Sequence, residues 1–168
     1  SEMYSPERVT AVCASYGLQP GQAMDIKNGY DFDLAEDRRK AWKHIVNDKP
    51  KLVIGSPPCT YFSRLQELNK HMYKDSKAWM DKFEANLEQA KRHVRFCVKI
   101  YNHQKKTGQY FLHEHPAGAS SWALKMMKDL ANEEGVTIVE ADQCMFGLRT
   151  RGAKRGQMMA AKKPTKFM

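Results

Sequence analysis

Cysteines are few in this sequence, and none of them is closely paired. Cys13, Cys59, Cys97 and Cys144 are scattered over 168 residues, so the chain has no Cys-x-x-Cys motif. Zinc ribbons, zinc fingers and thioredoxin-like redox sites need such pairs. The pattern argues against these sites and indicates reduced thiols in an intracellular protein, in the cytoplasm or the nucleus.

Long apolar segments are also missing. No apolar run reaches the roughly 18 residues of a membrane-spanning helix. No basic segment followed by an apolar stretch opens the chain as a secretory leader would. Internal repeats and Gly/Ser/Pro-rich linkers are absent as well. We therefore expect one soluble domain over residues 1–168, with no membrane partner.

Acidic residues are outnumbered by basic ones. The chain has 28 Lys and Arg against 19 Asp and Glu, which gives a formal net charge of +9. Such an excess favours a polyanionic partner, because cations that neutralise phosphates release counterions. Nucleic acid is the first candidate, although a basic surface that only improves solubility explains the composition equally well.

Apolar periodicity predicts helices and strands in alternation. Helices are expected over residues 6–16, 34–46, 76–104 and 121–132, and strands over 22–26, 52–55, 110–116 and 136–140, with 157–160 as one more candidate strand. Alternation of this kind is typical of an α/β fold, here a Rossmann-like three-layer sandwich with a mostly parallel sheet. Ligands of such folds bind at the carboxyl ends of the strands.

A rigid loop with a cysteine follows one of these strands. Residues 56–63 read Ser-Pro-Pro-Cys-Thr-Tyr-Phe-Ser, directly after the apolar run 52–55. The prolines stiffen the backbone, which suits a nucleophile that must reach its target without rearrangement. Cys59 could equally be a small buried hydrophobe in a stiff turn.

Glu114 lies at the end of another predicted strand, in Phe-Leu-His-Glu-His-Pro at residues 111–116. Parallel topology could bring its carboxylate close to Cys59, although a solvated loop carboxylate fits the sequence as well. His113 and His115 would share one face of the strand, as metal ligands can. The spacing supplies no third ligand, so we expect no metal and ordinary packing or surface histidines.

These two segments resemble motifs of DNA cytosine-5 methyltransferases. Residues 58–63 resemble the Pro-Cys-x-x-Phe-Ser loop of that family, and Glu114 in Glu-His-Pro resembles the glutamate of its Glu-Asn-Val motif, in the same order. The resemblance implies that the Cys59 thiolate attacks carbon 6 of a flipped cytosine. Glu114 would contact N3 and the amino group, and carbon 5 would take a methyl group from S-adenosylmethionine.

The resemblance also implies a binding site for S-adenosylmethionine. Asp25 matches the acidic residue that accepts hydrogen bonds from the cofactor ribose, and Asp31-Phe32 resembles the motif that holds the adenine. The helix that begins near Pro6 would offer its amino terminus to the cofactor. The full expected set is Tyr4, Ser5, Pro6, Asp25, Ile26, Asp31, Phe32 and Pro57.

A downstream segment extends the resemblance. Residues 141–151 resemble the Ala-x-x-Tyr-Gly-Val-Pro-Gln-Arg segment of the family, whose basic residues help to bind the base and phosphates. Arg151 is therefore expected to be catalytic, and Ser63, Arg149 and Lys154 to bind substrate. The alternative is a solvated basic loop that also includes Arg155.

Three features depart from the family pattern. Residues 2–8 contain no glycine, whereas the family has Asp-Leu-Phe-x-Gly-x-Gly at the corresponding place. In the downstream segment, Thr150 replaces a glutamine and Gly152 replaces a basic residue. No segment matching a target-recognition domain follows. We expect a minimal, divergent member with a truncated first strand. Another chain or domain could supply target recognition.

Other functions fit parts of the sequence. Ser56-Pro57-Pro58 resembles the Ser/Asn/Asp-Pro-Pro-aromatic loop of amino-methyltransferases, although Cys59 replaces the aromatic residue. A non-catalytic nucleic-acid-binding module would explain the basic charge and the missing glycine loop, and RNA could replace DNA as the substrate. A zinc deaminase does not fit, because its Pro-Cys-x-x-Cys motif should follow the glutamate segment.

Overall fold

The computed structural model describes residues 1–154 and 156–168, so Arg155 of the predicted basic loop lies outside the described residues. The strands are β1 (Glu2–Met3), β2 (Ala23–Met24), β3 (Leu52–Gly55), β4 (Tyr110–Pro116), β5 (Val139–Asp142), β6 (Arg149–Arg151), β7 (Met158–Ala160) and β8 (Pro164–Phe167). The α-helices are α1 (Val9–Val12), α2 (Ala35–Asp48), α3 (Leu65–Met72), α4 (Lys77–Lys106) and α5 (Lys125–Ala131).

Six of the strands form one sheet in the order β2-β1-β3-β4-β8-β5. Neighbours among β1 to β4 pair in parallel, and β8 runs antiparallel to both β4 and β5. Parallel neighbours need crossover connections, which pass through α1, α2 and the pair α3 and α4. The predicted α/β fold with a mostly parallel sheet is confirmed. The sequence did not predict β8, which is inserted antiparallel near one edge.

One face of the sheet is covered by helices. α4 contacts β3 and β4 as well as α2 and α5. Its fully buried Tyr101 stacks on Phe111, and its hydroxyl lies against Gly55, where a Cβ would overlap it. Most of the core is on this side of the sheet, where it includes Met3, Met24, Val53, Val94, Cys97, Ile100, Met127 and Leu130.

The opposite face is covered much less. Glu2 pairs with Ile54 whereas Met3 pairs with Gly55, and alternate strand residues face opposite sides. Glu2 therefore points away from α4, and its carboxylate binds the start of α1. Tyr110 and Val139, which share this face, are 62% and 60% exposed. The expected three-layer arrangement is therefore incomplete: helices cover one face of the sheet well, whereas the opposite face is covered much less.

The ends of several elements differ from the sequence predictions. The helix expected over residues 6–16 is one α-helical turn at Val9–Val12 followed by a 3-10 turn at Cys13–Tyr16. Val9 and Val12 stay 46% and 49% exposed, so this helix lacks the packing that stabilises short helices. Across the described residues, no helix combines the length and apolar character needed to cross a lipid bilayer.

Candidate functional site: a cationic cavity around Cys59

The loop of residues 56–63 leaves the carboxyl end of β3 and is held from within the core. After Cys59 the chain forms a 3-10 turn at Thr60–Phe62, in which Phe62 is buried. The Phe62 ring packs against His115 at 5.9 Å between centroids, and its carbonyl accepts a hydrogen bond from Ser120 Oγ at 3.4 Å. Cys59 itself is half-buried and forms no disulfide.

His115 ties β4 to this loop. Its Nε2 lies 2.8 Å from the carbonyl oxygen of Pro57, and its Nδ1 lies 2.6 Å from Ser121 Oγ. Because a carbonyl can only accept, Nε2 carries the proton and Nδ1 accepts from the Ser121 hydroxyl. Burial lowers the pKa of His115, which favours this neutral ring. The histidine expected only to pack or to face solvent thus fixes the backbone just before Cys59.

His115→Leu should lower the free energy of unfolding by about 2 kcal/mol, because it leaves the Pro57 carbonyl and the Ser121 hydroxyl unpaired in the core. Urea denaturation measures this loss. His44→Leu is the control, since His44 is on α2 with its side chain 39% exposed. Equal stability of the two variants would show that the His115 bonds do not hold the loop.

His113, the other histidine of β4, faces the core. Its Nδ1 lies 3.0 Å from the Tyr101 hydroxyl, and burial lowers its pKa to about 3, so the ring is neutral. Its Nε2 is buried without a hydrogen-bond partner, and the Trp122 ring lies edge-on to the imidazole at 5.3 Å between centroids. Within the described residues, no three His, Cys, Asp or Glu side chains form a group that could hold a metal ion.

Cys59 borders a cavity of about 690 Å³. Ser63, an expected substrate-binding residue, lies on the same wall, and its Oγ accepts a hydrogen bond from the backbone of Leu65 at 3.3 Å. The charged side chains of the wall are four cations and one carboxylate: Arg64, Lys162, Lys163, Lys166 and Glu140. Lys162, Lys163 and Lys166 each lie near a carboxylate, at 3.7, 3.6 and 3.9 Å, whereas Arg64 forms no ion pair within the described residues. The excess of cations on the wall suits an anionic ligand.

Sequence reasoning missed all four cations of this wall. Arg64 immediately precedes α3, and the lysines come from β8 and the segment before it, so no local motif joins them. Gly118 makes room for Arg64, because a Cβ at Gly118 would lie 2.9 Å from Arg64 Nε. The adjacent lysines 162 and 163 were the one available signal, and by themselves they indicate only a basic surface.

Glu114 is close to this cavity but not on its wall. The structure places it on β4, adjacent to β3, with Oε1 at 3.6 Å from Lys163 Nζ and 3.3 Å from Gln143 Nε2. Among the described residues, those that line the Cys59 cavity do not include Glu114. Lys163 lines the cavity, so its ion pair connects Glu114 to the cavity wall.

The basic residues expected to assist catalysis lie elsewhere. Arg149 and Arg151 belong to β6, which pairs with β7 in a separate two-stranded sheet, and both are exposed, as is Lys154. In the described chain none of the three lines the Cys59 cavity. The structure therefore does not bring Arg151 to Cys59, because its hairpin does not join the main sheet.

The residues expected at the cofactor site surround the carboxyl ends of β1 and β2. From β1 the chain goes to β2 on one side and returns to β3 on the other, and ligands bind in the crevice at such a switch point. Tyr4 follows β1 with φ of +59°, a left-handed conformation usually adopted by glycine. Tyr4 thus takes a glycine-like backbone in the loop that lacks glycine.

Two aromatic residues of this set come together. The rings of Tyr4 and Phe32 lie 4.5 Å apart, and Phe32 is only 4% exposed. The Tyr4 hydroxyl lies 3.2 Å from His93 Nδ1, and burial raises its pKa well above the usual value. Burial also lowers the pKa of His93, against the opposing effect of Asp33 at 3.2 Å. Two residues of the expected cofactor site thus pack against each other at the edge of the crevice.

The polar residues of the expected cofactor site suit the ribose of a nucleoside. Asp25 Oδ1 accepts from the Lys27 backbone at 3.0 Å, and Asp31 Oδ1 accepts from the Asp33 backbone at 2.9 Å. A carboxylate placed after the second strand is well suited to bind ribose hydroxyls. The remaining members are Ser5, whose Oγ donates to the Pro6 carbonyl, Ile26, which is 70% exposed, and the buried Pro57.

Comparison of the chain with protein-family models, curated proteins and solved structures finds no match. A function must therefore be inferred from the geometry around Cys59 and from the short motifs of the sequence.

Proposed function

We propose that this chain is a methyltransferase-like domain that uses S-adenosylmethionine to methylate carbon 5 of cytosine in DNA, with Cys59 as the nucleophile. The observation that carries the proposal is the position of Cys59 on a cationic cavity where β3 and β4 end. Ligands of mostly parallel sheets bind at this edge. The cavity of about 690 Å³ can hold a base, and its cations suit the attached phosphates.

The chemistry assigns one role to each group near the cavity. The Cys59 thiolate adds to carbon 6, the displaced electron pair makes carbon 5 nucleophilic, and N3 takes a proton from water. Carbon 5 takes the methyl group and gives its proton to water, the thiolate then leaves carbon 6, and N3 returns its proton to water. S-adenosylmethionine would supply the methyl group and leave as S-adenosylhomocysteine. Glu114, which pairs with Lys163, would offset the positive charge that develops at N3.

A covalent trap tests this function. An oligonucleotide in which 2-pyrimidinone replaces one cytosine should form an adduct that survives denaturing electrophoresis, because the analogue stays attached to the thiol after addition at carbon 6. The same oligonucleotide with thymine at that position is the control. Duplex, single-stranded and RNA versions identify the substrate. A folded protein that forms no adduct with any of them rules the proposal out.

A non-catalytic nucleic-acid-binding module is the second candidate, and the contact between Tyr4 and Phe32 favours it. If these rings close the crevice, titration calorimetry of the folded protein with S-adenosylmethionine should show no binding. Tyr4→Gly removes the ring and suits the left-handed backbone at this position. Binding by the wild-type protein favours the enzyme, whereas binding by Tyr4→Gly alone favours the module.

A further inference from the structure

A second cationic groove lies between α2 and α4. Its volume is about 400 Å³, and it shares no lining residue with the Cys59 cavity. α2 contributes Arg38, Arg39 and Trp42, and α4 contributes Arg92, Arg95, Phe96 and Lys99. Among the described residues, five cations surround two aromatic side chains there, and no acidic residue lines the groove.

These five cations have no carboxylate partners. Within the described part of the chain, none of them forms an ion pair. Elsewhere on the helices, Lys77, Lys105 and Lys125 are each paired with an acidic side chain. Glu88 is one turn from Arg92, but it pairs with Lys91 at 2.5 Å. The protein itself therefore offsets little of the positive charge of the groove, with Glu88 acting on Arg92 and Arg95 without a direct ion pair.

The groove is also organised to hold a linear anion. Arg92, Arg95 and Lys99 are spaced three and four residues apart, so they follow one face of α4 over about 10 Å. Across the groove, Arg38 is held in place by hydrogen bonds from its guanidinium to the carbonyl oxygens of Phe32 and Asp33, at 2.5 and 2.9 Å. The cations thus form one row on α4, with Arg38 and Arg39 of α2 across the groove from it.

The floor of the groove is apolar. Phe96 is 7% exposed, and Trp42 lies beneath Lys99, whose Nζ is 4.1 Å from the ring centroid. The groove is open to solvent along its length, so an extended strand of linked phosphates can lie along the cations of α4 and contact those of α2.

We propose that the groove between α2 and α4 binds the phosphate backbone of a nucleic-acid strand. The inference rests on the proposed function only in taking nucleic acid as the partner, and it does not need Cys59 chemistry. The groove supplies affinity that does not depend on sequence, since phosphate contacts position a strand without reading its bases.

Arg92→Gln with Arg95→Gln tests the groove. Binding of a fluorescent single strand, followed by anisotropy, should weaken at least tenfold. Over salt from about 50 to about 200 mM, the slope of log affinity against log salt should fall by about 1.4, or 0.7 for each lost phosphate contact. Lys74→Gln with Lys82→Gln removes the same charge from exposed positions outside the groove and should bind nearly as the wild type does. Circular dichroism checks that both double variants fold.

Equal loss of affinity in the two double variants would overturn the inference, because it would show a response to net charge alone. So would a groove variant that keeps strand binding but loses binding to phosphatidylserine vesicles. Measuring the cytosine adduct of the wild type beside strand binding of the groove variant separates the two proposals. If the wild type forms no cytosine adduct but the groove variant loses strand binding, the proposed function fails alone. If the adduct forms but the groove variant binds normally, the groove fails alone.

Discussion

Cys59→Ser is expected to reduce the covalent adduct with a 2-pyrimidinone oligonucleotide to background, while Cys144→Ser keeps it. Serine has nearly the shape of cysteine, so the loop after β3 should retain its conformation. Its hydroxyl is a far weaker nucleophile than a thiolate unless a general base activates it. Both cysteines are half-buried and free, and Cys144 lies in the 3-10 turn Gln143–Phe146, outside the Cys59 cavity. Cys144→Ser is therefore a matched control.

Mass spectrometry of the denatured adduct provides the measurement and maps the attached residue. Undiminished adduct with Cys59→Ser would mean that another group attacks the base. Loss of adduct in both variants would indicate general thiol reactivity instead of a placed nucleophile. The anisotropy of strand binding should be the same for both variants, so a lower adduct yield cannot be attributed to weaker binding.

The parts of the fold that sequence could predict are those fixed by local patterns. The long stripe of apolar residues in α4 and the compact apolar run of β3 each determine their own structure. β1 has two residues, too few for any periodicity, and it is defined by pairing with β2 and β3, whereas β2 lies within the strand predicted over residues 22–26. β8 is short and partly polar, so its position depends on pairing with β4 and β5.

The candidate site likewise has one part that the sequence could predict and another that it could not. The Cys59 loop could be predicted because its prolines, its cysteine and the preceding strand are contiguous. The cations around it could not, because Lys162, Lys163 and Lys166 reach the cavity only through the pairing of β8 with β4 and β5. Arg151 was assigned to the site by motif resemblance, yet β6 pairs with β7 alone. Side chains that are brought together by strands far apart in the sequence leave no local sequence pattern.

The second large effect is expected at Glu2, a buried carboxylate on β1, between β2 and β3 of the sheet. It is 2% exposed and accepts hydrogen bonds from the backbone N–H groups of Arg8 and Thr10 and from the Thr10 hydroxyl, at 2.9, 3.0 and 2.5 Å. Glu2→Leu leaves these donors unpaired and should lower the free energy of unfolding in urea by about 3 kcal/mol. Glu7→Leu, at an exposed position of the same segment, should change it by no more than about 0.5 kcal/mol.

The contribution of Glu2 to the free energy of unfolding should also decrease at low pH. Burial, the largest single influence, opposes ionisation, but the hydrogen bonds from Thr10 and Arg8 together hold the pKa of Glu2 below its usual value of 4.5. Because the unfolded chain takes up the proton first, this stabilisation is complete above pH 4.5 and is lost as the pH falls through the lower folded pKa. The stability gap between the wild type and Glu2→Leu should shrink over that interval, and a constant gap would contradict an ionised Glu2. Since the Glu2 carboxylate closes the loop that carries Tyr4, its protonation should also loosen the expected cofactor end of the sheet.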